Sequence, residues 1–326
     1  MKSFENFGGT KLPEKKSFPE KKTIFERVEK SLKIFMAMGI VVLGADSIFE
    51  SRLVKGYTPD HYIKYCGIEN ELQQKDLKLK LIELEKHFSP QFLSNLESLI
   101  EKINHNSREI TSTPKIEGFE NVGLGNEEMA TLWNENNYPA GTINGKIGKI
   151  GYQNISKKNT KEYHMGGMKA AEVAPAENDI KFLGLKNKEH SSKKDFVGTL
   201  DWYFSHELGH INDWVHGNEF KPEERVDFIL EVTSAFDKPD SFRDRMGYIN
   251  SINNPNPHLE KYCKVVEYWA VLCECYLTFP DLAAISFSPE ERNLIEKWFL
   301  GKNGQKFNPK DALAKRGELV EKICAK

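Results

Sequence analysis

Residues 206 to 210 read His-Glu-Leu-Gly-His. On an α-helix, positions i and i+4 share one face about a turn apart, so His206 and His210 can both direct a ring nitrogen at one metal ion. Glu207 lies between them, where a carboxylate beside a metal is placed to take a proton from water. A His-Glu-His triplet is costly to bury without a metal or hydrogen-bond partners. The residue types and their spacing therefore point to zinc as cofactor and to hydrolysis with Glu207 as general base.

A catalytic zinc uses three protein side chains plus a water, so two histidines leave one ligand to find. The first candidate is Glu267, in the apolar helical stretch Val265-Val266-Glu267-Tyr268-Trp269-Ala270, 57 residues after His210. Its carboxylate would come from a second helix packed beside the first. Glu274, seven residues further on the same face, is either a partner behind the ligands or a rival ligand. The other candidate is His216; if the helix runs on, it stands roughly 80° off the face of His206 at about 100° per residue. Asp213, three residues past His210 and seven past His206, shares their face and suits a hydrogen bond that fixes an imidazole tautomer. A developing oxyanion needs a donor besides the metal, and Tyr262 or Tyr268 would supply a phenol O–H if it faced the cleft.

His-Glu-x-Gly-His-x-x-Asp, here His206 to Asp213, followed by Glu267-Tyr268-Trp269-Ala270, resembles the gluzincin metallopeptidases, in the group that includes the anthrax lethal factor catalytic domain. The resemblance implies a zincin-like catalytic domain, zinc on His206, His210 and Glu267, and peptide-bond hydrolysis in a protein or peptide substrate. It departs at Val271, where an acidic residue often follows the alanine. His206 to His216 also resembles the metzincin pattern, with Asp213 in place of its glycine and Arg245-Met246-Gly247-Tyr248 in the position of a methionine turn. That resemblance makes His216 the third ligand, but metzincins need glycine to end the helix, and aspartate adopts that left-handed geometry less readily.

These residues need a helix to carry them. Phe196, Leu200, Tyr203, Phe204, Leu208, Ile211 and Val215 recur at spacings of three and four, which predicts a buried helix over 195–216. Ahead of it, Ile143, Ile147 and Ile150 around Asn144-Gly145 suggest a hairpin, and residues 179–183 alternate as a strand. The expected fold is α+β: a small, twisted, mostly antiparallel sheet, the active-site helix, and a helical C-terminal half. An edge near residues 178–183 would hold an extended substrate by strand addition. Helices are predicted over 222–236, 258–278, 288–300 and 312–325, with Ser288-Pro289-Glu290-Glu291 as a helix start.

Upstream, residues 1–30 lack periodic apolar residues and read as a disordered basic tail. Residues 1–33 hold nine Lys or Arg against five Glu, and Ile34 to Ala45 is uncharged and largely apolar. Segment 31–49 is thus a signal, an anchor or a buried helix; the first two would mean export or membrane association, the third a cytoplasmic protein. Residues 55–104 suggest a helical hairpin broken at Ser89-Pro90, residues 105–126 a linker, and 127–326 the zinc domain.

Composition sets the outer bounds. With 39% hydrophobic and 29% charged residues the chain can bury a sizeable core, and a net charge of −2 without a basic stripe argues against nucleic acid. Five cysteines with no CxxC pair support neither a disulfide framework nor a cysteine zinc site. A non-catalytic zinc-binding interaction module remains the reading from another class.

Overall fold

The computed structural model describes Asp60, Ile63, Ile249 and residues 68–88, 113–153, 171–174, 178–183, 191–213, 222–242, 257–301 and 306–325. The basic tail, the apolar segment 31–49, the second arm of the expected hairpin, Cys66, His216 and residues 245–248 lie outside these. Among the described residues no helix is long and apolar enough to cross a membrane.

Two helices form the centre. Helix α3 (Lys193–Ile211) starts at Ser192, whose hydroxyl accepts the Asp195 N–H at 3.1 Å. Every residue from Tyr203 to Ile211 is buried. It stops at Asn212, short of the expected 216, and Asn212 closes it by donating from Nδ2 to the Leu208 carbonyl at 2.8 Å. Helix α5 (Pro257–Thr278) packs along α3 and is also buried on all sides over residues 265–275. Such all-round burial is what an apolar helix without a polar face requires.

Around this pair stand α1 (Glu71–His87), α2 (Asn126–Leu132), α4 (Pro222–Asp237), α6 (Pro280–Ser286), α7 (Pro289–Leu294) with a π-helical continuation (Ile295–Leu300), and α8 (Pro309–Cys324). Leu77, Leu81 and Leu84 of α1 are buried in the common core, and α1 packs on α4. Ser288 and Glu291 cap α7 reciprocally, as Ser-Pro-Glu-Glu predicted. Helix α8 begins three residues earlier than its apolar pattern suggests, because the Asn308 side chain accepts the Lys310 N–H ahead of it.

The sheet corrects the sequence reading. Its order is β1 (Lys115–Glu117), β2 (Lys149–Gln153), β4 (Asp179–Leu183), β3 (Ala171–Ala174). Strands β1, β2 and β4 run parallel and only β3 is antiparallel, so the sheet is mostly parallel rather than mostly antiparallel. The expected hairpin is absent. Ile143 and Ile147 close a turn through Ile147 N–H to Ile143 O at 3.0 Å, with Gly145 at φ 76°, and only then does β2 begin. Their spacing of four served a helical turn, not strand alternation. The expected linker 105–126 also holds structure: Lys115–Glu117 is an edge strand and Phe119 is fully buried. Residues 179–183, expected as a free edge, pair on both sides with β2 and β3.

Sheet and helix meet through stacked rings. Trp133 lies between Phe182 of β4, at 5.2 Å, and Phe204 of α3, at 4.9 Å. Its indole N–H donates to Asp201 Oδ1, which also accepts the Tyr138 hydroxyl at 2.6 Å. Asp201 Oδ2 accepts Arg316 Nε from α8 at 3.0 Å, and Arg316 reaches the Leu277 carbonyl at the end of α5 at 2.8 Å. One buried ion pair thus joins α3, α5 and α8. Near the other end of α3, the Glu135 carboxylate accepts backbone N–H groups of Gly141, Thr142, Ile143 and Asn144, and Asn212 Nδ2 reaches the Thr142 carbonyl at 3.2 Å.

Removing one partner of a buried pair strands the other charge, at a cost of about 3–5 kcal/mol. Arg316→Met is expected to lose that much stability in urea unfolding, and Asp201→Asn/Arg316→Met less than the single change. A loss of about 1 kcal/mol or below, the scale of an exposed pair, would contradict the assigned role.

Candidate metal centre

Helix α3 brings His206 and His210 to one face, and α5 lays Glu267 across them. His206 Nε2 is 3.4 Å from Glu267 Oε2, and His210 Nε2 is 3.5 Å from Glu267 Oε1. The three side chains have donor atoms within 4.8 Å of one another, the one such group among the described residues. Glu267 is 0% exposed, and neither of its carboxylate oxygens has a hydrogen-bond partner. A buried carboxylate in that state is costly unless a cation meets it, whether the protonated imidazoles themselves or a metal ion held between them.

A zinc ion fits this set. Tetrahedral ligands about 2.0 to 2.1 Å from the metal stand roughly 3.3 to 3.4 Å apart, close to the two histidine–carboxylate separations, one to each oxygen of Glu267. The donors are two imidazoles and a carboxylate, which suit zinc better than a hard oxygen-seeking cation.

The helix contact that makes this possible involves the smallest residues in each motif. A Cβ on Gly209 would lie 2.7 Å from the Ala270 Cα and 3.1 Å from its carbonyl oxygen. Trp269 Nε1 donates to the Gly209 carbonyl at 3.0 Å, fixing the two helices in register. Glycine in His-Glu-Leu-Gly-His and alanine in Glu-Tyr-Trp-Ala thus face each other.

Glu274 stands behind the ligands. Its Oε2 is 2.9 Å from His206 Nδ1, the ring nitrogen away from Glu267, which places it beside His206 and outside the His206, His210 and Glu267 group. Val271 stands one turn after Glu267, and the acidic residue, Glu274, one turn further on. Asp213 is buried, its Oδ2 4.0 Å from His210 Nδ1, too long for a direct hydrogen bond.

Electrostatics follow from burial and these pairs. Burial pushes the Glu267 carboxyl up, but His206 and His210 more than offset it and hold it at about 2. Burial pushes both imidazoles down, and Glu267 outweighs it in each, aided at His206 by Glu274, so both are raised. Glu207 is 6% exposed and His210 9%, the most open members of the site.

Of the expected oxyanion donors, Tyr268 is not at the site. Its hydroxyl donates to Glu291 Oε1 at 2.5 Å, and its ring packs on Phe236. The reason is geometric: one residue along a helix turns a side chain about 100° away from Glu267. Tyr262 is buried as well, and after burial the charge that raises its phenol most is that of Asp213. The tyrosine whose phenol feels Glu274 and Glu207, after burial, is Tyr203. It sits one turn before Glu207, a spacing that places it near that carboxylate although its apolar neighbours mark it as core. The described cysteines carry no disulfide, and Cys263, Cys273 and Cys275 are buried thiols.

Comparison of the chain with protein-family models, with curated proteins and with solved structures gave no match.

Two outcomes follow from this geometry. Gly209→Ala forces α5 off α3 against backbone, so zinc affinity and folding stability are expected to fall together, the latter by about 1–3 kcal/mol; retention of both in chelator competition and urea unfolding would contradict the contact. The raised imidazole pKa values favour the protonated rings in the metal-free protein, whereas metal ligation requires them neutral. Zinc uptake is therefore expected to release protons and to weaken as pH falls, measured by calorimetry in buffers of different ionisation enthalpy. Uptake without proton release would contradict the assigned protonation.

Proposed function

We propose that the protein is a zinc-dependent peptidase of zincin type, with His206, His210 and Glu267 holding the metal and Glu207 as general base. The observation that carries the reading is the placement of Glu267, from a separate helix, within 3.4 and 3.5 Å of the two Nε2 atoms. His216 is not needed to complete the set, which favours the glutamate pattern over the metzincin one.

When bound, zinc supplies Lewis acidity that polarises a scissile carbonyl and acidifies water. The side chains of this chain do the rest. His206 and His210 present Nε2 lone pairs, the first with its tautomer held by Glu274. Glu207 is turned about 100° round α3 from His206, yet it is next to it in sequence and 6% exposed. There it takes a proton from the attacking water and later delivers it to the leaving amine.

Strand β3 favours a peptide over another hydrolysable substrate. It is the antiparallel edge of the sheet, it packs against α3, and no further described strand pairs with it. An extended peptide added there gains main-chain hydrogen bonds alongside the metal helix. This moves the substrate edge from 178–183 to Ala171–Ala174.

Glu207→Gln is expected to keep zinc at wild-type stoichiometry and lose at least about 100-fold in hydrolysis of an unfolded protein or peptide mixture. Glu267→Ala is expected to lose zinc. Substantial turnover by Glu207→Gln, or stoichiometric zinc without turnover in the wild type, would overturn the peptidase reading; the second outcome would instead support a zinc-binding interaction module.

A further inference from the structure

The Glu274 carboxylate is held from both ends. Its Oε2 meets His206 Nδ1 at 2.9 Å, and its Oε1 accepts the indole N–H of Trp202. Trp202 and His206 are four residues apart on α3, so one carboxylate from α5 bridges two side chains one turn apart on the neighbouring helix. We propose that Trp202 is a positioning residue for the metal centre, acting through Glu274 on His206, an inference that rests on the zinc-site reading above.

The argument is one of donors and acceptors. An indole N–H only donates, so it fixes one carboxylate oxygen without competing for the other. Oε2 then points at His206 Nδ1 as an acceptor, which keeps the proton on Nδ1 and the lone pair on Nε2, toward Glu267. Without the indole, Glu274 can rotate about its last bond, a broad and soft torsion, and the imidazole loses its fixed tautomer and orientation. Trp202 stacks on Tyr203 at 5.4 Å, and this contact supports the ring's position but does not supply the hydrogen bond.

The test is zinc affinity by chelator competition for the full chain carrying Trp202→Phe, Glu274→Gln, or both. Trp202→Phe is expected to weaken zinc binding about tenfold, the low end of what outer-shell partners contribute. Glu274→Gln is expected to weaken it at least as much, and the double variant no more than Glu274→Gln alone. Should Trp202→Phe fail to fold, judged by near-UV dichroism of the metal-free protein, benzothienylalanine at 202 keeps the bicyclic ring and removes only the N–H. Wild-type affinity in either N–H-less variant would overturn the proposal while leaving the metal centre standing. So would an equal further loss from Trp202→Phe in the Glu274→Gln background, since a merely packing role is additive. Absence of zinc uptake by the wild type would overturn the metal reading, and this inference with it.

Discussion

The separation of α3 and α5 sets the distances within the buried His206, His210 and Glu267 group. Side chains at a helix crossing decide how far apart two axes lie, and here the crossing is made by a glycine and an alanine with backbone against backbone. Glu267 lies three residues before Ala270, and His206 and His210 flank Gly209, so the ligand distances are read directly from that crossing. The Trp269 indole bonded to the Gly209 carbonyl prevents sliding of one helix along the other.

A second constraint comes from charge placed in a core. Three buried carboxylates each take two or more partners, chiefly neutral aromatic or backbone donors with a cation where one is needed. Asp201 has Trp133, Tyr138 and Arg316; Glu274 has Trp202 and His206; Glu291 has Tyr268, the Phe242 N–H and its own capping contact at Ser288. Fully satisfied networks of this kind fix a single arrangement, and a partly satisfied one is costly. Glu267 differs from these three: it faces only the two imidazoles, at ion-pair distance and without a hydrogen bond of good geometry.

What could be read from the sequence was what is periodic or local. The histidine pair, the helices that carry it and the Ser288 cap rest on spacings of three and four, whereas Glu267 stood out as a carboxylate in an apolar helix and through the resemblance of Glu267-Tyr268-Trp269-Ala270. Glu274 was legible as a position but not as a role, because only packing decides which ring nitrogen a carboxylate meets. Parallel pairing was hidden: β1 contributes one apolar residue, Ile116, in a polar stretch, and its partner lies more than thirty residues on. The same holds for Asp201 and Arg316, 115 residues apart, and for Tyr268, whose neighbour in space, Glu291, reads in sequence only as a helix cap.

The reach from Asp201 to Arg316 also bears on how the protein is made. Synthesis runs at about 5–20 residues per second, so the 115 residues between them take roughly 6 to 23 s to add. During that interval His206, His210 and Glu267 are all added, while Asp201 still has no guanidinium to meet it. The ion pair that joins three helices therefore closes only after both helices of the candidate metal centre have been added, so the pair is the last of these contacts to form and not the one that first brings α3 and α5 together.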